Sequence, residues 1–363
     1  MSAHTVMPRS AWLFPALAVV FFLVATGVGW DFSRSMAGLA YAVIVLVILF
    51  GTVFAAVHHA ELIAVRVGEP YGTLVLTLAV TVIEVAVIAT LMLGEKEVPT
   101  LARDTVFAVV MIVCNGLVGI CIMSGGFRYR EQDIQATGAS VYLSVLIVLA
   151  TITLVLPNYT LTIPGPFYSV AQLAFVGFAT IILYGVFLYT QTIRHRDYFT
   201  DEDDDEDAPS VSDRMLWTSV ALLLLALVGV VLLAKKFSVV IDAAAAEIGA
   251  PPAFAGIVVA LLILLPESVA AVGAARRDQL QRSINLALGS SLATIGLTIP
   301  AVSVAAIVLD KQLVLGLSSR EMVLLTMTIL ISMMTLGTGR TNILFGLVHV
   351  VVFAVFLFTA FVP

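Results

Sequence analysis

The sequence contains few charged residues and few cysteines for its length. Asp, Glu, Lys and Arg make up 12% of its 363 residues, about half the share found in a soluble domain. Only two cysteines occur, Cys114 and Cys121, and both lie in one apolar segment, which excludes a disulfide framework. The shortage of charge also excludes a cytosolic enzyme and a protein that binds nucleic acid.

Hydrophobic residues fill the place of the missing charges. They make up 61% of the chain, against roughly 45–50% in a soluble domain, and they form repeated stretches of about 20 residues. Such long apolar stretches cross a lipid bilayer as helices. We therefore predict an all-α polytopic membrane protein with about 11 transmembrane helices, at residues 11–29, 38–64, 72–93, 104–124, 137–156, 168–193, 214–234, 254–274, 283–309, 320–337 and 341–361.

One acidic tract, residues 201–207, interrupts this composition, and its seven acidic residues account for the whole net charge of -6. It predicts a division into an N-terminal tail and first helix (1–36), a five-helix repeat (37–196), an acidic cytoplasmic linker (197–213) and a second five-helix repeat (214–363). Because five is odd, the two repeats would enter the membrane in opposite directions. Transporters with inverted repeats bind substrate near the midplane, between the repeats.

Loop lysines and arginines predict the orientation. The predicted loops on the side of the N-terminus hold more of these residues than the other side, where Lys235 and Lys236 follow the seventh span. By the positive-inside rule, the N-terminus is cytoplasmic and the C-terminus lies outside.

Two glutamates lie where charge is costly. Glu84 is in the second helix of the first repeat and Glu267 is in the second helix of the second repeat. Each lies about a dozen residues into its span, hence near mid-depth, where a charge costs about 2.5–3.5 kcal/mol. Inversion would bring the two carboxylates together. The alternative is that each glutamate is protonated and hydrogen-bonded to a neighbouring helix.

Neutral oxygens accompany both glutamates. Pro266 removes a backbone donor next to Glu267, which can free a carbonyl. Two carboxylates with hydroxyl, amide and carbonyl oxygens suit a hard cation such as Ca²⁺, which takes six to eight oxygen ligands. Close helix packing is the alternative role for the small polar residues. The candidate metal ligands are Glu84, Glu267, Asn115, Ser291, Ser290, Thr81 and Ser268.

Competition between cation and protons would make such a site an exchanger. Burial and a like-charged neighbour favour the protonated form of a carboxylate, so the two glutamates would carry protons whenever no cation is bound. This predicts a transporter of inorganic cations in a lipid bilayer, with no cofactor and no enzymatic activity, since Ser290 and Ser291 have no base to pair with in the spans. Its oligomeric state stays open. The rival interpretations are a cation channel and, less favoured, an intramembrane enzyme.

The segment from Pro266 to Ser291 resembles the second α-repeat of the bacterial Ca²⁺/H⁺ antiporters (CAX-type) of the calcium/cation antiporter superfamily. A looser match covers residues 69–84 and 115–126. The resemblance implies one helix plus two inverted five-helix repeats in a bacterial cytoplasmic (inner) membrane. It also implies that Glu84 and Glu267 bind Ca²⁺ and carry H⁺.

The match departs from the family pattern before each glutamate. Many exchangers have Gly-Asn there, whereas this chain has Val80-Thr81 and Ile263-Leu264. An amide oxygen is replaced by a hydroxyl in one repeat and by an apolar side chain in the other. Antiport of Na⁺ or K⁺ for H⁺ is therefore the alternative function. His349, in the last helix, is interpreted as a hydrogen-bonded packing residue.

Overall fold

The computed structural model describes residues 7–68, 71–92, 99–199, 211–251 and 253–362. The acidic tract at 201–207 lies outside these ranges, as do Glu69 and Pro70 at the start of the looser motif. Within them, 11 helices are long and apolar enough to cross a membrane, which confirms the predicted all-α polytopic fold. They are α1 (Arg9–Val28), α2 (Met36–Val67), α3 (Tyr71–Met92), α4 (Leu101–Tyr129), α5 (Ala136–Tyr159), α6 (Val170–Arg194), α7 (Asp213–Ile248), α8 (Ala253–Ala275), α9 (Leu280–Val308), α10 (Ser319–Gly337) and α11 (Ile343–Phe361).

Two predicted span ends are wrong by more than a turn. The fourth span was expected to end at residue 124, but α4 runs on to Tyr129. The seventh span was expected to end at residue 234, but α7 runs on to Ile248, so Lys235 and Lys236 lie inside the helix and not in a loop. The sequence 243–247 is Ala-Ala-Ala-Ala-Glu, which favours helix strongly. Lys236 is held by an ion pair with Asp31. The helix ends at Gly249, in the left-handed conformation that glycine adopts most readily.

The chain divides into two compact units. The first, Met1–Val98 with Asp205–Ala250, contains α1, α2, α3 and α7; the second, Pro99–Asp204 with Pro251–Pro363, contains the other seven helices. Each unit therefore combines helices from both predicted repeats. The division into repeats stays a prediction, because compactness reports packing and not internal similarity.

In the first unit, α2 packs against α1, α3 and α7, and α3 also packs against α7. Polar contacts join the helices: the Thr52 hydroxyl donates to the Phe14 carbonyl at 3.2 Å, and His59 Nε2 lies 3.0 Å from the Ala11 carbonyl oxygen. Arg66, in the last turn of α2, pairs with Asp213 in the first turn of α7 at 2.8 Å. Helix α3 therefore packs against both long helices of the unit, α2 and α7.

In the second unit, α4 and α9 run in opposite directions. The part of α4 after residue 117 packs against the part of α9 before residue 294, whereas the first part of α4 packs against Thr294–Thr298. These helices are the third of each predicted repeat. Their antiparallel contact is the relation that inverted repeats require.

Loop contacts sort the helix ends of the second unit into two groups. Strand β1 (Glu131–Asp133) follows α4 and pairs antiparallel with β2 (Arg340–Asn342), which precedes α11. Gln132 also donates to Asp278, in the α8–α9 loop, at 2.8 Å. At the other ends, the Val314 amide donates to the Pro99 carbonyl at 3.0 Å. The loops that follow even-numbered helices therefore lie together, as expected when successive helices cross the membrane in opposite directions.

Candidate cation-binding site

Glu84 and Glu267 both lie well inside their helices. At least eight residues of helix follow each glutamate, up to Met92, the last residue of α3 that the structure describes, and up to Ala275, where α8 ends. At about 1.5 Å per residue, each lies about 12 Å or more from the helix end. Glu84 is 1% exposed, whereas Glu267 is half-buried. Positions well inside both helices are expected of a site between inverted repeats.

The predicted ligands fall into two sets. Glu84 and Thr81 lie one turn apart on α3, in the first compact unit, and both are buried. The approach of Glu84 to Glu267 stays a prediction, because the two carboxylates belong to different units. The second unit contains the remaining candidates, Glu267, Ser268, Ser290, Ser291 and Asn115.

Three mutually packed helices carry the second set. Ser268 follows Glu267 on α8, Ser290 and Ser291 lie on α9, and Asn115 lies on α4. Helix α8 packs against both α4 and α9, and the middle of α4 packs against both α8 and α9. Hydroxyl, amide and carboxylate groups are thereby brought onto neighbouring helices.

Pro266 lies inside α8 without ending it. Because proline has no N–H, the Leu262 carbonyl lacks the helical donor that residue 266 would otherwise supply. This is the freed carbonyl expected from the sequence. It lies about one turn before Glu267 on the same helix.

Ser291 is fully buried, and its hydroxyl donates to the Leu288 carbonyl of its own helix at 2.9 Å. Donation uses the hydrogen and leaves the oxygen lone pairs available. Ser291 can therefore offer an oxygen to a cation without breaking this bond. Ser290 and Ser268 are half-buried.

Asn115 is fully buried and both ends of its amide are already bonded. Its Nδ2 donates to Thr328 Oγ1 at 2.9 Å, and its Oδ1 lies 3.2 Å from His349 Nδ1. Coordination of an ion by Asn115 Oδ1 would compete with the imidazole for that oxygen. His349 makes the hydrogen bonds that its interpretation as a packing residue required.

Sequence reasoning missed a feature of the two antiparallel helices. The segments Ile112–Leu117 of α4 and Thr294–Thr298 of α9 are π-helical. Such turns are rare in proteins generally and recur at functional sites; α5 and α6 also contain one each, at Thr151–Val155 and Thr190–Arg194. The segments of α4 and α9 place Asn115 in one irregular segment and the buried hydroxyls of Thr294 and Thr298 in the other. The spacing from Ser291 to Thr294, three residues, was the available signal, since residues three apart share a helix face.

Comparison with known proteins places the chain in a family. The sequence model described as sodium/calcium exchanger protein matches residues 36–193 and 218–362, one stretch on each side of the acidic tract. The chain is 47% identical to y4hA of Sinorhizobium fredii, described as an ionic transporter, over 87% of each protein. It is also 36% identical to the sodium-potassium/proton antiporter ChaA of Escherichia coli, over 96% of this chain and 95% of ChaA.

A solved structure shares the fold. The structure of native YfkE superposes with a TM-score of 0.72 at 14% identity, covering 97% of this chain and all of YfkE. The two family matches together span most of the chain, from residue 36 to residue 362. The chain belongs to the sodium/calcium exchanger protein family, within the calcium/cation antiporter superfamily.

Proposed function

We propose that the protein is a proton-coupled cation antiporter in which Glu84 and Glu267 bind a cation or protons in competition. The observation that carries the proposal is the position of both glutamates well inside α3 and α8, the second helix of each predicted repeat, with at least eight helical residues after each. We place the protein in a bacterial cytoplasmic membrane, with its N-terminus inside and its C-terminus outside.

Cation transport is coupled to proton transport because a site that holds neither a cation nor protons is unfavourable. Two deprotonated carboxylates in a low-dielectric environment repel each other and have lost their hydration. Either a cation or protons must therefore occupy them before the site changes its accessible side. Alternation between these two loaded states exchanges one species for the other.

We propose Ca²⁺ as the first cation to test. Two carboxylates neutralise its charge, and Thr81, Ser268, Ser290 and Ser291 can contribute hydroxyl oxygens to a shell of six to eight ligands. A solved relative of the same fold, YfkE, is described as a Ca²⁺/H⁺ antiporter. A curated Ca²⁺/H⁺ antiporter of Synechocystis is 25% identical over 260 residues.

Na⁺ or K⁺ is the second candidate, and a specific comparison favours it. ChaA, described as a sodium-potassium/proton antiporter, is 36% identical over nearly the whole chain. In addition, Thr81 and Leu264 stand where many exchangers have an asparagine. A site with fewer strong oxygen ligands would favour a monovalent cation over Ca²⁺.

Flux measurements on the purified protein in liposomes distinguish these functions. A pH-sensitive dye inside the vesicles reports proton movement when Ca²⁺, Na⁺, K⁺ or choline is added at a series of external pH values. We expect Ca²⁺ to drive proton movement and its half-saturating concentration to rise as pH falls, because protons occupy the same oxygens. Proton movement with Na⁺ or K⁺ alone would establish the second candidate. Cation flux without proton movement would contradict antiport.

A further inference from the structure

Four buried polar side chains form one hydrogen-bonded cluster in the second unit, here named the Asn115 cluster. Its members lie on α4, α10 and α11 and none is more than 1% exposed. His349 Nδ1 lies 3.2 Å from Asn115 Oδ1, and His349 Nε2 lies 3.0 Å from Thr335 Oγ1. The cluster consists of Asn115, Thr328, Thr335 and His349.

The hydrogen positions follow from the contacts. The Thr328 hydroxyl donates to the Leu324 carbonyl at 2.8 Å, so it accepts from the Asn115 amide nitrogen. The Asn115 oxygen is then the atom that faces His349, and the imidazole Nδ1 must carry the hydrogen it donates. In the neutral ring, Nε2 accepts from the Thr335 hydroxyl. Every polar atom of the Asn115 and His349 side chains is therefore satisfied without water or an ion.

The cluster includes a residue of an irregular piece of backbone. Asn115 lies inside the π-helical segment Ile112–Leu117, and irregular backbone persists only where its surroundings hold it. That segment packs against α8, the helix that carries Glu267, and against α9. A shift of the segment would therefore be transmitted to the neighbours of the proposed carboxylate.

We propose that His349 is a positioning residue, which holds Asn115 and the π-helical middle of α4 in place beside α8 by donating a hydrogen bond. The inference rests on the proposed antiport function. By this inference, Asn115 helps to hold the middle of α4 in place and is not one of the ligands of the cation. His349 acts as a fixed donor, and no proton passes through it during transport.

Two substitutions that introduce the same functional group separate the roles of the two ring nitrogens. The amide of His349→Asn reaches the position of Nδ1 and keeps the donor to Asn115, whereas the longer His349→Gln reaches toward Nε2 and Thr335. Neither amide titrates. We expect His349→Asn to keep the half-saturating cation concentration within about 2-fold of the unmodified protein. We expect His349→Gln and His349→Leu to raise it about 10-fold, the usual cost of losing a supporting hydrogen bond behind a metal site, with a smaller change in maximal rate.

The opposite pattern overturns the proposal. If His349→Asn is as impaired as His349→Leu, the titrating ring is required and His349 carries protons. If His349→Leu keeps normal cation affinity, the cluster does not position the site.

Thr328→Val tests the other end of the cluster. It also tests the positioning role if His349→Leu does not yield monodisperse protein. It removes the acceptor of the Asn115 amide, and we expect the same loss of affinity, about 10-fold. Its matched control is Thr326→Val on the same helix, where an exposed hydroxyl donates to the Met322 carbonyl of its own helix. Equal affinity in the two variants would contradict the proposal.

Glu267→Gln, measured in the same liposomes, separates this inference from the function on which it rests. Cation-driven proton movement by Glu267→Gln would contradict the proposed antiport function. If Glu267→Gln shows no such movement while His349→Leu and Thr328→Val keep normal cation affinity, only the positioning role is contradicted.

Discussion

Gly119 on α4 and Gly346 on α11 face each other so closely that a Cβ on either would lie 2.9 Å from the backbone oxygen of the other. Side-chain Cβ atoms rarely come so near to a backbone oxygen. The two helices are therefore in backbone contact at this level, as small residues permit in membrane proteins. The contact lies one turn from Asn115 on α4 and one turn from His349 on α11.

Gly346→Ala should destabilise the second unit by forcing α4 and α11 apart. Overpacking of this kind costs about 1–3 kcal/mol, so the melting temperature of the purified protein should fall. Gly185→Ala, at a helical glycine with nothing within 4 Å of the added Cβ, is the matched control. Equal melting temperatures for the two variants would show that the close contact is not required.

Asp104→Asn should cost more stability than Asp133→Asn, although each removes one Arg–Asp pair. Arg103 and Asp104 lie 2.7 Å apart with side chains 15% and 3% exposed, whereas Arg340 and Asp133 are 73% and 81% exposed. Breaking a buried pair costs about 3–5 kcal/mol, and an exposed pair contributes about 0–1 kcal/mol. Thermal unfolding in detergent measures the stability of both variants. Similar melting temperatures would contradict a larger contribution from the buried pair.

Ser291→Ala should weaken apparent cation affinity more than maximal rate, because it removes an oxygen from the proposed shell. A change of about 5-fold corresponds to the loss of one buried polar interaction. Ser303→Ala is the matched control on the same helix: its hydroxyl donates to the Ile299 carbonyl at 2.7 Å, and Ser303 is likewise buried. The dependence of flux on cation concentration gives the apparent affinity of each variant. An equal loss of affinity in Ser291→Ala and Ser303→Ala would indicate an effect on helix stability and not on cation binding.

Deletion of the acidic tract, residues 201–207, should leave transport measurable. A run of like charges self-repels and behaves as a solvated linker. Flux by the deletion variant in liposomes is the test. Complete loss would show that the tract has a role in ion capture or regulation.

Composition was sufficient to predict the helices, because about 20 apolar residues have one stable arrangement in a bilayer. The end of α7 was missed because Lys235 and Lys236 were taken as loop residues, although a long lysine side chain can stay on a helix and reach a polar partner. Strands β1 and β2 were also missed, since three residues carry too little pattern to indicate a strand.

The sequence singles out the candidate carboxylates, but not the hydrogen bonds around Asn115. Glu84 and Glu267 stand out because charge is rare in the spans, and their similar depth in the second span of each repeat is a prediction from counting residues. The bonds of Asn115 to Thr328 and His349 join residues more than 200 positions apart. The π-helical segments likewise depend on packing between helices, so the sequence carries little trace of either feature beyond the three-residue spacing from Ser291 to Thr294.

The most direct test of the account is cation-driven proton movement by Glu84→Gln and Glu267→Gln. Glu131→Gln, at an exposed position on β1, is the matched control. We predict that both midspan variants insert and purify as monodisperse protein yet show no exchange at any pH, while Glu131→Gln exchanges normally. Robust exchange by either midspan variant would contradict the account.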